Sequence, residues 1–269
     1  MNFLAKIVAH KLKESEALFT PEATARFKAA IAARPAPLSL KAALDAAAGP
    51  AIIAEIKRAS PSKGEFAMHW DPVELAQIFQ DNGAAALSVL TEVKYFKGDP
   101  EFIPRMRPLI KIPILRKDFI LEPVQVYETA ALAADAMLLI VHLLEASKLR
   151  ALLMLSRSLG LEALVEVHTK EEMEMALSAG AKVIGINSRD LITFQMYPDR
   201  ALELAPMAPK EVTLVAASGL KSRADLERLQ AAGIKGFLVG ETLVTSGDPG
   251  MKLREFLGMR HGQSRREED

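Results

Sequence analysis

The chain has 269 residues, half of them hydrophobic, and its 34 Lys and Arg balance 34 Asp and Glu, so the formal net charge is zero. This balance, with no basic and aromatic-rich motif, argues against a nucleic-acid partner, and no apolar run approaches the roughly 20 residues of a membrane helix. The lack of cysteine excludes disulfides and thiolate metal sites and favours a reducing compartment. We therefore expect a cytoplasmic protein with no nucleic-acid or membrane partner.

The first fifty residues predict an N-terminal extension of two or three helices, which begins with an amphipathic pattern rather than a signal peptide. After residue 50, short apolar runs alternate with segments that have apolar residues every three or four positions, the pattern of strands alternating with helices. The tail, residues 259–269, is charged, and we expect it to be disordered. The predicted strands span residues 51–56, 85–90, 112–117, 136–141, 162–167, 182–187, 212–217 and 236–241.

Strands that alternate with crossover helices predict a parallel sheet that is buried on both faces. Eight such units in roughly 210 residues favour a closed (β/α)8 barrel of the TIM type. We expect residues 1–258 to form a single barrel domain that includes the extension, about residues 1–50. An open doubly wound sheet is the alternative, but it requires a Gly-rich phosphate loop after the first strand, and KRASPSKG (57–64) does not match that fingerprint.

Polar side chains cluster at the carboxyl ends of the predicted strands, where barrels of this kind place their active sites. Glu55 and Lys57 end the first strand, and their side chains share a face because strand side chains alternate. Lys117 ends the third strand, Glu166 lies near the end of the fifth, and Asn187 ends the sixth. Two amines and two carboxylates on one rim favour a proton-transfer site over the alternative interpretation, an isolated ion pair.

Other polar residues near the strand ends carry weaker signals. Arg116 should face away from the barrel interior by alternation, and Arg189 lies just beyond the sixth strand. His142 and His168 also follow strands, but each is more often a structural or rim residue. Metal binding is disfavoured, because no cluster of His and carboxylate residues is evident.

The last two strands end in small residues that suit a phosphate. Ser218 and Gly219 follow the seventh strand, and Gly240 and Glu241 follow the eighth, where a short helix is predicted over about 241–245. Free N–H groups at a helix start bind phosphate, and the loops after strands seven and eight are the usual phosphate site of this fold. The alternative is a pair of ordinary tight turns.

Six ordered motifs carry a family likeness that runs from about residue 3 to residue 258. The chain resembles the indole-3-glycerol phosphate synthase family of tryptophan biosynthesis. The resemblance implies a (β/α)8 barrel with an N-terminal extension. It implies a carboxy-lyase that closes the ring of 1-(2-carboxyphenylamino)-1-deoxyribulose 5-phosphate, with loss of carbon dioxide and water and without a cofactor. The motifs are IIAEIKRASPSKG, ALSVLTE, ILRKDF, LEALVEVH, GINSRDL and FLVGETL.

The resemblance also implies roles for the rim residues. Lys117 corresponds to the general acid on the substrate carbonyl, and Glu166 to the carboxylate that handles protons during dehydration. Lys57 corresponds to a second acid that also holds charged groups of the substrate, while Glu55 and Asn187 orient these groups. The implied substrate-binding residues are Ser60, Phe96 for the anthranilate ring, Arg189 for its carboxylate, and Ser218, Gly219, Gly240 and Glu241 for the phosphate.

One position departs from the family pattern. The family usually has Glu-Ser-Gly after the seventh strand, and this chain has Ala217 before Ser218 and Gly219. A degenerate paralogue that binds phosphosugars is therefore an alternative to an active synthase. Another phosphosugar barrel, such as phosphoribosylanthranilate isomerase, would favour a Cys/Asp pair, and the chain has no cysteine. We expect a small phosphosugar–anthranilate substrate, no metal, and a monomer or weak homodimer.

Overall fold

The computed structural model describes residues 3–61 and 63–259, and within them eight parallel strands close into a barrel. The strands follow chain order around the barrel, and the first pairs with the last, Ala51 opposite Gly236. The predicted barrel is thereby confirmed, and the open sheet is excluded. The strands are β1 (Ala51–Ile56), β2 (Ala86–Leu90), β3 (Ile114–Lys117), β4 (Ala136–Ile140), β5 (Glu162–Val167), β6 (Val183–Asn187), β7 (Thr213–Ala217) and β8 (Gly236–Val239).

Helices connect the strands, and polar caps define where several of them begin. The Asp71 side chain accepts hydrogen bonds from two backbone N–H groups, and Pro72 follows it at the first helical position. Ser222 and Asp225 form a capping box, in which each side chain bonds the other's backbone. The helices after β1 are Pro72–Asp81, Val93–Phe96, Phe102–Met106, Pro123–Ala131, Ala146–Ser158, Lys170–Ser178, Arg200–Leu204, Arg223–Gln230, Glu241–Val244 and Pro249–Leu257, with 3-10 turns at Val141–Leu143 and Ala205–Met207.

Some predicted boundaries are wrong by one or two residues at the strand ends. β4 ends at Ile140, because Val141 opens a 3-10 turn, although Val141 is as buried as the strand before it. β8 ends at Val239, because Gly240 caps the helix Glu241–Val244. The apolar sequence pattern indicates burial rather than strand pairing, so it extends beyond the last hydrogen bond between neighbouring strands. Most of the tail expected to be disordered, residues 260–269, lies outside the described residues.

The N-terminal extension consists of the helices Phe3–Glu16, Pro21–Ala33 and Leu40–Asp45. The third helix lies against the amino ends of the strands. Its Leu40 and Leu44 are fully buried in the cluster that fills the barrel interior. The Thr213 hydroxyl at the start of β7 donates to Asp45 Oδ1 over 2.7 Å, so the helix also has a polar anchor there.

The first helix is fixed at the opposite, carboxyl end by a buried ion network. Lys11 Nζ lies 3.0 Å from Asp118 Oδ1. Asp118 also accepts from Arg116 Nη2 over 3.1 Å and from the Thr91 hydroxyl over 2.6 Å. Arg116 faces away from the barrel interior, as alternation predicts, and it also pairs with Glu128. Burial alone would raise the pKa of the Asp118 carboxyl, but Arg116 and Lys11 outweigh it and hold that pKa below its ordinary value.

We propose that the extension and the barrel fold as one domain over residues 1–258, and Asp118→Asn tests this. Removing one partner of a buried ion network typically costs about 3–5 kcal/mol, so we expect the free energy of unfolding to fall by about 3 kcal/mol. Because the folded pKa of Asp118 is depressed, its contribution is present above the unfolded pKa and is lost as pH falls through the folded pKa. The acid dependence of stability should therefore be shallower in Asp118→Asn.

Urea denaturation followed by two optical probes measures these changes. Asp81→Asn, at an exposed helix end, is the matched control and should unfold like the parent. Two separate transitions in the parent would contradict the single domain, and an unchanged midpoint in Asp118→Asn would contradict the role of the network.

Candidate active site

A cavity of about 170 Å3 opens at the carboxyl ends of the barrel strands. It is lined by the last residues of several strands and by the loops that follow them. Within the described part of the chain, every residue to which the family resemblance assigns a role lines this cavity except Gly219. Gly219 follows the lining residue Ser218 and has a φ of +78°, a backbone conformation that favours glycine.

The first charged pair lies at the end of β1. Lys57 Nζ donates to Glu55 Oε1 over 2.7 Å, so the two side chains share a face as the strand alternation predicts. Glu55 is buried, and the backbone of Gly240 lies directly against it. A Cβ at residue 240 would lie 2.6 Å from Glu55 Oε1 and 2.9 Å from Glu55 Cβ. Only glycine therefore allows the turn after β8 to pack on this carboxylate.

The second charged pair joins two strands that are not neighbours in the barrel. Lys117 Nζ, at the end of β3, donates to Glu166 Oε2 on β5 over 3.2 Å. Asn187 Nδ2, at the end of β6, donates to Glu166 Oε1 over 3.1 Å. The Asn187 side-chain oxygen in turn accepts the backbone N–H of Arg189 over 3.0 Å, which orients its amide nitrogen towards Glu166. Both oxygens of this buried carboxylate therefore have partners.

The electrostatics of this pair favour the charged form of both groups. Burial disfavours the ammonium of Lys117, but Glu166 and Glu55 outweigh burial and raise the pKa of Lys117 above its ordinary value. Burial likewise disfavours ionised Glu166, but Lys117 and His168 outweigh it and lower the pKa of Glu166. The resting site therefore holds an amine that can donate a proton beside a carboxylate that can accept one.

An apolar wall faces these charges across the cavity. Phe96 and Phe119 lie with ring centroids 6.1 Å apart. Phe96 belongs to the short helix Val93–Phe96, whose first backbone N–H groups are capped by the Glu92 side chain. The wall can hold a flat aromatic group. Sequence reasoning found Phe96 but missed most of the remaining apolar lining, namely Leu90, Phe119, Leu138, Ile140, Leu191, Phe194 and Leu238.

The N-terminal extension supports this wall from outside. The Phe3 ring packs against Tyr95, with centroids 5.0 Å apart, and against Phe194, with centroids 5.9 Å apart. Tyr95 precedes Phe96 in its helix, and Phe194 lies in the loop after β6. The first helix therefore contacts two different loops of the cavity mouth.

Two loops close the remaining sides. Ser60 lies in a small hairpin, in which Ala59–Ser60 pairs with Gly64–Glu65. Lys63 Nζ on that hairpin lies 2.6 Å from Glu241 Oε1, at the start of the helix after β8.

Ala217 is the last residue of β7, in register with Asn187 and Leu238, and it contributes a methyl group to the cavity. A longer side chain at this position would point into the mouth.

Within residues 3–61 and 63–259, no group of three or more His, Asp or Glu side chains is placed to hold a metal ion. The helices described in that part of the chain are all too short or too polar to cross a membrane.

The closed barrel, with paired amines and carboxylates in its mouth, defines the class as a (β/α)8-barrel enzyme. Comparison with known proteins narrows the class. The chain belongs to the indole-3-glycerol phosphate synthase family, whose model matches residues 4–256. It is 49% identical over 225 residues to the indole-3-glycerol phosphate synthase of Carboxydothermus hydrogenoformans, covering 82% of this chain and 85% of the relative. It is 50% identical over 225 residues to that of Mycolicibacterium gilvum, covering 84% of this chain and 82% of the relative.

Solved structures with much lower sequence identity support the fold alone. KGPDC from Streptococcus mutans matches with a TM-score of 0.60 at 14% identity, over 78% of this chain and 96% of that chain. Thiamine phosphate pyrophosphorylase from Pyrococcus furiosus matches with a TM-score of 0.59 at 14% identity, over 82% of this chain and 96% of that chain.

Proposed function

We propose that this chain is a carboxy-lyase that converts 1-(2-carboxyphenylamino)-1-deoxyribulose 5-phosphate to indole-3-glycerol phosphate in tryptophan biosynthesis. The observation that carries the proposal is the buried Lys117–Glu166 pair in the mouth of a barrel of this family. The second pair, Glu55–Lys57, lies in the same cavity. The family match and these intact charged pairs favour an active enzyme over the degenerate paralogue.

Lys117 is the proposed acid of the ring-closing step. The ring carbon that bears the carboxylate attacks the substrate carbonyl carbon, and a new carbon–carbon bond forms. The carbonyl oxygen gains the Lys117 proton and becomes a hydroxyl group. Carbon dioxide then leaves, and the electrons of its carbon–carbon bond restore the aromatic ring.

Glu166 and Lys57 are the proposed proton carriers of the dehydration. The hydroxyl group takes a second proton, from Lys57, and leaves as water. Glu166 removes a proton from the adjacent carbon, and that C–H electron pair becomes the double bond of the indole. Glu55 and Asn187 are the proposed orienting partners, since their hydrogen bonds fix Lys57 and Glu166 respectively.

The proposed binding contacts divide between the two sides of the cavity. Phe96 contacts the anthranilate ring, Arg189 pairs with its carboxylate, and Ser60 contacts the substrate from the hairpin. The backbone of the two turns after β7 and β8 holds the phosphate, through Ser218, Gly219, Gly240 and Glu241. The free N–H groups at such turns and the position after β7 and β8 support this assignment.

Gly240→Ala tests the phosphate site. The added Cβ would meet Glu55 Cβ, which is anchored on β1, so the turn must move. We expect inhibition by inorganic phosphate to weaken about tenfold, equivalent to about 1.4 kcal/mol, with a parallel rise in KM. Gly247→Ala is the control, because nothing lies within 4 Å of a Cβ there. Unchanged phosphate inhibition in Gly240→Ala would place the phosphate elsewhere.

Ala217→Glu tests the departure from the family pattern. We expect a gain in kcat of about tenfold, or about 1.4 kcal/mol of barrier. Glu166 and Glu55 already raise the pKa of Lys117, and a third carboxylate should raise it further, so the basic limb of the pH–rate profile should move to higher pH. Ala217→Gln has the same size without the charge and should leave the basic limb in place. Identical rates and profiles in all three forms would exclude an electrostatic role for position 217.

The direct test of the reaction mixes the purified protein with the ribulose phosphate substrate and records indole fluorescence. We expect indole product and carbon dioxide in a one-to-one ratio. Substrate that stays intact, or that is consumed without an indole product, would contradict the proposed reaction.

The proposed working form is a cytoplasmic monomer or weak homodimer without nucleic-acid or membrane partners. The absence of cysteine and the zero net charge support it. Sedimentation equilibrium should give the mass of one chain at low concentration, and a stable higher oligomer would contradict it.

A further inference from the structure

A chain of titratable side chains continues from the Lys117–Glu166 pair towards the protein surface. His168 is 8% exposed and lies just after β5. Its Nε2 atom lies 3.8 Å from Glu166 Oε1, and its Nδ1 atom lies 3.3 Å from Glu172 Oε2 on the next helix. The other oxygen of Glu172 lies 3.0 Å from His142 Nδ1. One imidazole therefore stands between two carboxylates, and one of these belongs to the proposed active site.

The Nε2 atom of His168 has an unusual environment. It is buried, and within the part of the chain that the structure describes it has no hydrogen-bond partner. A buried polar atom without a partner costs stability, and its presence calls for an explanation. Its nearest charged neighbour is Glu166, and hydrogen bonds of catalytic groups often shorten only in the substrate complex.

We propose that His168 accepts the proton that Glu166 removes from the substrate, and that Glu172 holds His168 in the tautomer that this transfer requires. The inference rests on the proposed role of Glu166. It adds two residues to the site, namely His168 as a proton acceptor behind the Glu166 carboxylate and Glu172 as a positioning residue.

The contacts of Glu172 determine the tautomer. Burial alone would raise the pKa of the Glu172 carboxyl, but its hydrogen bonds with His168 and His142 outweigh burial and lower it, so Glu172 is ionised. An ionised carboxylate only accepts hydrogen bonds. It accepts the His168 backbone N–H over 2.7 Å, and its contact with the ring requires the proton on Nδ1. Nε2 then carries a lone pair, which faces Glu166.

When Glu166 takes the carbon-bound proton, it becomes a neutral acid. The O–H bond then breaks, the proton bonds to the lone pair of His168 Nε2, and Glu166 returns to its carboxylate form. The imidazolium lies between the carboxylates of Glu166 and Glu172. It returns the proton through Glu166 to Lys117, which gave its own proton to the carbonyl oxygen and lies 3.2 Å from Glu166 Oε2, so both groups are reset for the next turnover. Imidazole is the side chain best suited to such exchange near neutral pH.

Other charged groups around His168 also affect the transfer of the proton between Glu166 and His168. On the cavity side, Lys117 competes for Glu166. On the outer side, His168 lines a surface groove together with charged residues of two neighbouring segments, namely Lys170, Asp199, Arg200 and Glu203. These groups include both signs of charge, and the two carboxylates in contact with the ring, Glu166 and Glu172, are its nearest charged groups.

His168→Gln tests the proposal, because an amide forms hydrogen bonds but does not carry the proton. We expect kcat to fall about tenfold with little change in KM, a smaller loss than the hundredfold or more typical of a direct acid or base. His168 also helps to lower the pKa of Glu166, so the acid limb of the pH–rate profile should move to higher pH. Imidazole in the buffer should restore turnover in His168→Ala. Glu172→Gln should lower kcat in the same direction, and His10→Gln, on the first helix, is the histidine control.

Wild-type kcat and an unshifted acid limb in His168→Gln would overturn the proposal. A loss that imidazole does not restore in His168→Ala, with KM raised as much as kcat is lowered, would show a purely structural role and would also overturn it. Glu166→Gln, measured in parallel, distinguishes a failure of this inference from a failure of the proposed role of Glu166. If Glu166→Gln is inactive while His168→Gln is normal, only this inference fails. If Glu166→Gln is also normal, the proposed role of Glu166 fails.

Discussion

Lys117→Ala is expected to lower kcat at least about 100-fold, the usual scale for loss of a general acid. The ammonium of Lys117 stands beside Glu166 in a buried site, where both Glu166 and Glu55 favour its protonated form. Alanine removes the proton donor to the substrate carbonyl. The measurement is kcat under conditions in which chemistry limits turnover, with the substrate at saturation.

The control for this variant is Lys111→Ala, an exposed lysine in the segment that leads into β3. It should turn over like the parent. Lys117→Ala leaves a buried carboxylate without its amine, so its folding should be verified by circular dichroism before kinetics. A folded Lys117→Ala with nearly parental turnover would refute the assignment.

Glu166→Gln is expected to cause a loss in kcat of similar size, at least about 100-fold. The amide has the shape of the carboxylate but does not accept a proton from the substrate carbon. Lys117 also loses the stronger of the two carboxylates that raise its pKa, so burial should lower that pKa in the variant. The basic limb of the remaining activity should therefore move to lower pH.

Glu174→Gln is the matched control, since Glu174 lies on the exposed face of the next helix, Lys170–Ser178. It should show the parental rate and pH profile. Parental kcat in Glu166→Gln, or a basic limb that moves to higher pH, would contradict the proposed coupling between Glu166 and Lys117.

The fold and much of the rim are predictable because two periodicities act together. Alternating strand and helix patterns identify the barrel, and the two-residue period of a strand tells which side chains share a face. This is why Glu55 and Lys57 are expected together, and why Arg116 is expected on the other face from Lys117. These inferences need only local sequence and the rule that barrels act at the carboxyl ends of their strands.

Contacts between distant parts of the chain are not predictable in this way. Lys117 and Glu166 are 49 residues apart and lie on non-adjacent strands, so only the closed barrel shows that they pair directly. The contact between Lys11 and Asp118 depends on where the first helix docks. Leu138 and Ile140 occupy inward positions of β4. In the sequence they belong to a continuous apolar run, which gives no sign that they line a cavity.

A double-variant cycle tests most directly the central claim that the Lys117–Glu166 pair in the barrel mouth supplies the acid of ring closure and the base of dehydration. The kcat of Lys117→Ala, of Glu166→Gln and of the double variant would be measured against the parent with the same substrate. The two groups act in successive steps and the slower step alone sets turnover, so the losses should be strongly non-additive. The double variant should lie within about threefold of the slower single variant. Losses that multiply, to about 10⁴-fold or more, would show that both groups contribute independently to the same step, and would contradict the claim.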